Sequence, residues 1–302
     1  MKVATAQYPI TFHQDLKEWE IYFEEWILKA VQENAQVLLF PEYGSMELVS
    51  IFPEETRMDL QLQVKTLHTL DVQVKKIFSQ LAINHQIIII APSFPYILAD
   101  KIINRTKVYG PQGYVGFQDK FFMTRFENED WLVSSGEDIL TVFESEWGNF
   151  GIQVCYDIEF PIGSKLLTEA GADIIFVPSC CETLKGSTRV HIGARARALE
   201  YQIYTVVSQT IGDCDWSPAV DINYGYTAIY STPDLGFPDD GIIACSTHQT
   251  EGWLIQELDL KKLSFVRNYG NVLNYKDNRK IEIQMKEKTL KVQKIKIPSS
   301  AS

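Results

Sequence analysis

Val37-Leu38-Leu39-Phe40-Pro41-Glu42 sets four apolar residues in a row, halts them with a proline and follows with an acid. A run so short and without polar alternation predicts a strand buried on both faces, as in sheets covered by helices on either side. Just upstream, Leu16, Trp19, Tyr22, Phe23, Trp26, Ile27, Ala30 and Val31 recur at steps of three and four. That spacing predicts an amphipathic helix, with Asp15 as its cap. Before the helix, residues 3–8 read as another strand.

The alternation repeats downstream. A second long helical pattern carries Leu60, Val64, Leu67, Val74, Ile77, Phe78 and Leu81, and leads into a strand at 87–91. Gly110-Pro111-Gln112-Gly113 predicts a tight turn between two short strands within 106–117. Strands at 150–154, 173–177 (stopped by Pro178) and 204–208 alternate with helices at 162–170 and 190–200, and strand and turn follow to 257. No repeat, low-complexity tract or Ser/Gly linker interrupts the chain before 275. Residues 1–275 therefore read as one mixed α/β domain with helices on both faces of sheet. From 276 to 302 eight Lys and Arg face only Asp277, Glu282 and Glu287, so this stretch is a basic tail or arm. The alternation Lys294-Ile295-Lys296-Ile297 suggests an edge strand or a partner-binding arm, with a frayed, solvated tail as the alternative.

Of the 302 residues, 45% are hydrophobic and 22% charged, the make-up of a packed globular protein, which excludes disorder for most of the chain. A net charge of -11 argues against nucleic acid and anionic membranes as partners, since phosphate contacts need a surplus of Lys and Arg. No apolar run approaches the roughly 20 residues of a membrane span. The amino terminus carries no basic-then-apolar leader, and the 5 cysteines are few and odd in number. Both features predict free thiols in the cytoplasm.

Reactive groups in such sheets gather beyond the carboxyl ends of strands. Glu42, Lys120 and Cys155 each end a strand-like run. Taken singly, they read as a turn acid, a solvated lysine and an inert core cysteine. Together they supply the parts for cleaving an amide carbon–nitrogen bond through a thioester. Glu42 would be the general base, Cys155 the nucleophile, and Lys120 with the backbone N–H of Tyr156 the stabilisers of the oxyanion. On this reading Lys120 matters for rate and hardly for folding. The 5 histidines are scattered without ligand spacing, so no metal is expected. His191 could lie near substrate or simply pack, and Arg197 with Glu200 reads as a structural ion pair.

Phe40-Pro41-Glu42, Gln118-Asp119-Lys120 and Val154-Cys155-Tyr156-Asp157, in that order and 78 and 35 residues apart, resemble the Glu-Lys-Cys stretches of the nitrilase superfamily of carbon–nitrogen hydrolases. The likeness extends over about 2–260, through Val3-Ala4-Thr5-Ala6-Gln7, Glu169-Ala170-Gly171-Ala172-Asp173 and the helix from Ala194 to Glu200. It implies a four-layer α-β-β-α sandwich with mixed sheets, a homodimer or higher homo-oligomer, and no cofactor. The implied substrate is a small nonpeptide amide or carbamoyl compound, releasing ammonia or an amine. A nitrile substrate and a catalytically silent scaffold are the alternatives. The resemblance also implies a second glutamate, for which Glu127 is preferred over Glu129. Asp157 reads as fixing the turn after the nucleophile. Where many relatives carry an arginine this chain has Glu159, which points to a neutral or cationic substrate unless Glu159 is paired with a neighbouring arginine. Trp131, Cys180 and Cys181 are expected along the pocket, and Tyr43 and Trp216 are further aromatic candidates.

Overall fold

The computed structural model describes residues 1–296. Its first half runs β1 (Lys2–Pro9), α1 (Leu16–Gln32), β2 (Val37–Leu39), α2 (Glu54–Arg57), α3 (Leu60–His68), α4 (Asp71–His85) and β3 (Ile88–Ile90). Then come β4 (Phe94–Leu98), β5 (Lys101–Gly110), β6 (Gly113–Asp119), α5 (Arg125–Glu129) and β7 (Val133–Ser134). The second half runs β8 (Phe150–Ile152), α6 (Pro161–Glu169), β9 (Ile174–Ser179), α7 (Leu184–Tyr201), β10 (Tyr204–Asp213) and β11 (Ile222–Asn223). It closes with β12 (Ala228–Tyr230), β13 (Ile242–Cys245), β14 (Gly252–Glu257), α8 (Leu260–Tyr269) and α9 (Asn274–Lys286).

One face-to-face pair of sheet layers forms around β1. On one edge β1 takes β2 in parallel, and β3, β5 and β4 extend that layer. On the other edge Lys2–Gln7 pairs antiparallel with β14, while Gln7, Tyr8 and Pro9 pair in parallel with Gln209, Thr210 and Ile211 of β10. The change of partner at Gln7 lets β10 carry β9, β8, β12 and β13 into the second layer. Side-chain alternation then sorts the core. Ala4, Leu38, Phe40 and Ile89 join Trp19, Phe23 and Phe78 of α1 and α4 in one cluster. Val3, Val37, Leu39, Ile88 and Ile90 face the other way, into a cluster with Phe176 and Val206 of the second layer and Val190 and Ala194 of α7. The result is the four-layer α-β-β-α sandwich, with β2 buried on both faces as its composition predicts.

Local chemistry sets the boundaries. Asp15 caps α1 by accepting from Lys17 N and Glu18 N, a contact of about 1 kcal/mol. The second helical pattern is two helices rather than one, broken at Thr69 and Leu70. Pro178 does not stop β9, which continues to Ser179. The Phe176 carbonyl points to β8, where it accepts from Gln153 N, so the amide position of Pro178 faces the same edge. There β8 has already ended, and the missing donor costs no ladder bond. α7 starts at Leu184, capped by Thr183, in a polar stretch that gave no apolar period to read.

The first part of the tail is helical, and no strand forms over 287–296. Residues 274–286 form α9, so the boundary drawn at 275/276 falls within a helix. Asn274 and Asn278 donate to the Leu199 and Glu200 carbonyls at the exposed end of α7, and Lys165 pairs with Glu282. Helix ends leave carbonyls unpaired, and these two amides satisfy them. Of the Lys/Ile run, Ile297 lies outside the described residues. No helix of the described residues is long and apolar enough to cross a membrane.

Candidate active site

Three strand ends deliver three side chains to one cavity of about 490 Å³. β2 carries the chain through Phe40 and Pro41 to Glu42, after which Tyr43 adopts a left-handed conformation (φ 54°) and turns it away. β6 ends one residue before Lys120, whose N–H donates to the Asn104 carbonyl at 2.9 Å. β8 leads to Cys155, which holds φ at 49° at the head of a short 3-10 turn. A left-handed non-glycine residue costs on the order of 1 kcal/mol, and here that turn brings the sulfur to the cavity. Glu42, Lys120 and Cys155 are all buried, and all line it.

Glu127 completes the group. The Lys120 Nζ donates to Glu42 Oε1 at 2.8 Å and to Glu127 Oε2 at 2.6 Å. Glu127 is held by a capping box on α5, accepting from Thr124 N and Oγ1 at 2.9 Å each, and by the Tyr43 hydroxyl at 2.7 Å. Glu42 accepts two more bonds, from Asn104 Nδ2 at 2.8 Å and from the Cys180 backbone N–H at 3.0 Å. Glu129 instead sits exposed, paired with Arg125 at 2.7 Å.

Burial and charge divide the two carboxylates. Burial, with the negative charge of Glu127, pushes Glu42 well above the usual carboxylate range despite Lys120. Burial acts the same way on Glu127, but there Lys120, Tyr43 and Thr124 prevail and hold it below that range. For Lys120 burial disfavours the charge, yet Glu127 and Glu42 outweigh it and raise its pKa well above the ordinary lysine value. Contact with the Cys181 thiol, then burial, pushes Cys155 up, so the sulfur rests as a thiol. A carboxylate raised and a neighbouring one lowered is the arrangement that separates a proton-moving group from a fixed counter-charge.

Asp157 joins two of the strand ends. Its carboxylate accepts from Phe122 N at 2.8 Å, from Phe121 N at 3.2 Å and from Val154 N at 3.3 Å, tying the Lys120 loop to the turn that presents Cys155. Burial raises its pKa to about 6.

Tyr156, Glu159, Trp131, Cys180 and Cys181 also line the cavity. Trp131 is buried against Tyr43, with ring centroids 4.7 Å apart. Trp216 packs on Phe12 and is not among the lining residues. Glu159 binds both Nε and Nη2 of Arg189, so it is neutralised and gives no basis for a cationic substrate. Arg197 and Glu200 pair at 3.1 Å. Two contributors went unread in the sequence, Asn104 and Thr124. Asn104 did carry a signal, as a polar residue in the apolar stretch Ile102-Ile103-Asn104. Among the described residues no group of three His, Cys, Asp or Glu is arranged to hold a metal.

His191 is not among the residues that line this cavity. It stacks on Tyr226 at 3.7 Å and meets the Tyr230 hydroxyl at 2.8 Å, and burial lowers its pKa to about 4. The folded protein therefore refuses a proton that the unfolded chain accepts near pH 6.5, and stability falls as pH drops from about 6.5 to 4. The full effect is on the order of 3 kcal/mol. Urea unfolding of the wild type should lose stability across that window, and His191→Gln should lose less; equal losses would remove His191 as the cause.

The family model for carbon–nitrogen hydrolases matches residues 2–268. A probable hydrolase of Bacillus subtilis, YhcX, is 32% identical over 93% of this chain, which spans 54% of that protein's length. Omega-amidase NIT2-A of Xenopus laevis is 24% identical over 80% of this chain and 83% of its own. In fold the chain is similar to Nit3 of Saccharomyces cerevisiae, a member of the nitrilase superfamily, with a TM-score of 0.68 at 22% identity over 88% of this chain and 93% of Nit3. A match from the first strand into α8, joined to the same sandwich, makes this chain a member of the carbon–nitrogen hydrolase family.

Proposed function

We propose that this protein is an amidase that hydrolyses a small nonpeptide amide or carbamoyl compound through a thioester on Cys155, with Glu42, Lys120 and Glu127 as its other catalytic groups. The observation that carries the reading is one buried ammonium held between two carboxylates in the cavity that Cys155 lines. An omega-amidase among its relatives supports the same reaction class.

In the first half-reaction the Cys155 sulfur attacks the carbonyl carbon while Glu42 takes the thiol proton. The raised pKa of Glu42 suits it to that task, since a stronger base is better matched to a thiol. Lys120 faces the oxygen as it becomes negative, together with the Tyr156 N–H. Collapse breaks the carbon–nitrogen bond, and Glu42 returns the proton to the departing amine. Water then attacks the thioester, again giving a proton to Glu42, and the acid leaves with the thiol restored. Glu127, ionised and fixed by Tyr43 and Thr124, orients the substrate nitrogen and the incoming water.

Ammonia release from a panel of small amides, carbamoyl compounds and nitriles tests the reaction. The expected result is turnover of an amide or carbamoyl compound with the acid limb of kcat/KM above the range of an ordinary carboxylate, because Glu42 must be ionised to act. Turnover of nitriles alone, or no ammonia from any member of the panel, would overturn it. The five free thiols support a reducing compartment, the cytoplasm, as its place of work. A homodimer is the assembly this reading includes, and light scattering on the purified protein checks it.

A further inference from the structure

Cys181 is a nucleophile that the hydrolytic cycle does not use. β8 and β9 run side by side in parallel, with Phe150, Gly151 and Ile152 opposite Ile174, Ile175 and Phe176, so their ends release Cys155 and the 180–181 pair next to each other. The two cysteines after β9 point different ways, as successive residues of an extended chain must. The Cys180 sulfur bonds Asn223 Oδ1 at 3.3 Å, and its carbonyl accepts from the Cys155 thiol at 3.7 Å. The Cys155 sulfur therefore lies against the peptide unit that joins Cys180 to Cys181, which sets Cys181 beside it. Both belong to the same core cluster, and both line the open cavity. Gln209 Nε2 donates to the Cys181 sulfur at 3.7 Å and steadies it there.

We propose that Cys181 is a resolving thiol, which converts peroxide damage at Cys155 into a reversible Cys155–Cys181 disulfide. A hydroperoxide entering the cavity is attacked by the Cys155 sulfur. The O–O bond breaks, Cys155 becomes a sulfenic acid, the peroxide leaves as an alcohol or water, and Glu42 handles the thiol proton as it does in hydrolysis. Cys181 then attacks the sulfenic sulfur, the S–O bond breaks, and water leaves with the Cys181 proton. Two electrons have passed from two thiols to one peroxide. Without a neighbouring thiol the sulfenic acid has time to react again and go irreversibly to sulfinic acid. The role given to Glu42 and the activity readout rest on the proposed amidase reading; the disulfide itself does not.

The test exposes the full chain to graded hydrogen peroxide, blocks remaining thiols, and maps peptides by mass without reduction. The expected product links the Cys155 and Cys181 peptides. Dithiothreitol removes the link and restores ammonia release. In Cys181→Ser, and equally in Cys181→Ala should serine fold poorly, Cys155 passes to sulfinic acid, and reductant recovers about ten-fold less of that variant's own starting activity. Cys180→Ser retains the link. Sulfinic acid at Cys155 of the wild type with no disulfide, or a link to Cys180 in place of Cys181, overturns the proposal, and the wild-type map alone decides this. A mapped Cys155–Cys181 link in a protein that releases no ammonia from any substrate supports the resolving thiol while sinking the amidase reading.

Discussion

Cys155→Ala should lower ammonia release by about 10⁴-fold or more and leave the protein folded. Under the proposed mechanism Cys155 is the nucleophile, the one group whose loss removes the covalent route altogether, and what would remain is the modest contribution of the cavity. Folding should be nearly untouched. Alanine keeps the Cβ, tolerates the left-handed turn as well as cysteine does, and leaves only a sulfur-sized void whose removal costs about 1 kcal/mol. Rapid-quench mass spectrometry should find an acyl adduct on Cys155 of the wild type and none on the variant. Residual turnover within ten-fold of the wild type would mean that the thioester is not on the path.

Lys120→Met is the second large effect, and it strikes rate and stability together. Methionine matches the length of the lysine stem, so packing survives and the charge alone is lost. If Lys120 stabilises the oxyanion as proposed, its removal costs roughly 2.7–4 kcal/mol of transition-state stabilisation, about 10²–10³-fold in kcat. The sequence-based expectation that Lys120 hardly affects folding does not survive the geometry. Its ammonium is fully buried between Glu42 and Glu127, and without it two buried carboxylates face one another uncompensated. Breaking a buried pair in this way costs about 3–5 kcal/mol. The loss has a pH signature. In the variant both carboxyls have raised pKa values when folded, so the folded state binds protons that the unfolded chain gives up, and stability falls as pH rises past the ordinary carboxylate range. Urea unfolding at pH 5 and pH 8 should therefore separate variant from wild type more at the higher pH. An equal difference at both would show that Lys120 is not neutralising these two groups.

The extent to which the chain could be read in advance follows the range of the forces involved. Apolar periodicity is local, so α1, β2, β3 and the hairpin at Gly110–Gly113 were legible, as was the two-sided burial of β2. β4 was missed because Phe94-Pro95-Tyr96-Ile97-Leu98 owes its strand to pairing with β5, a partner its own pattern does not announce. The break at Thr69 and Leu70 has no proline or glycine to mark it. The basic tail became α9 because Asn274 and Asn278 find the bare carbonyls of α7, a contact that exists only once α7 is placed.

The same division runs through the site. Residue type and position after an apolar run were enough to single out Glu42, Lys120 and Cys155 and, through family likeness, Glu127. Their arrangement was not. That Lys120 reaches Glu42, that Arg189 cancels Glu159, that Asn104 and Cys180 N–H hold Glu42, and that Cys155 and Cys181 line one cavity all depend on residues tens of positions apart. Sequence alone determined which chemical groups stand at the ends of which strands, because backbone preference and side-chain burial act over a few neighbouring residues. Only the tertiary structure decided which of those groups carry charge and what each one touches, because desolvation and Coulomb forces act through space between chain segments that folding brings together.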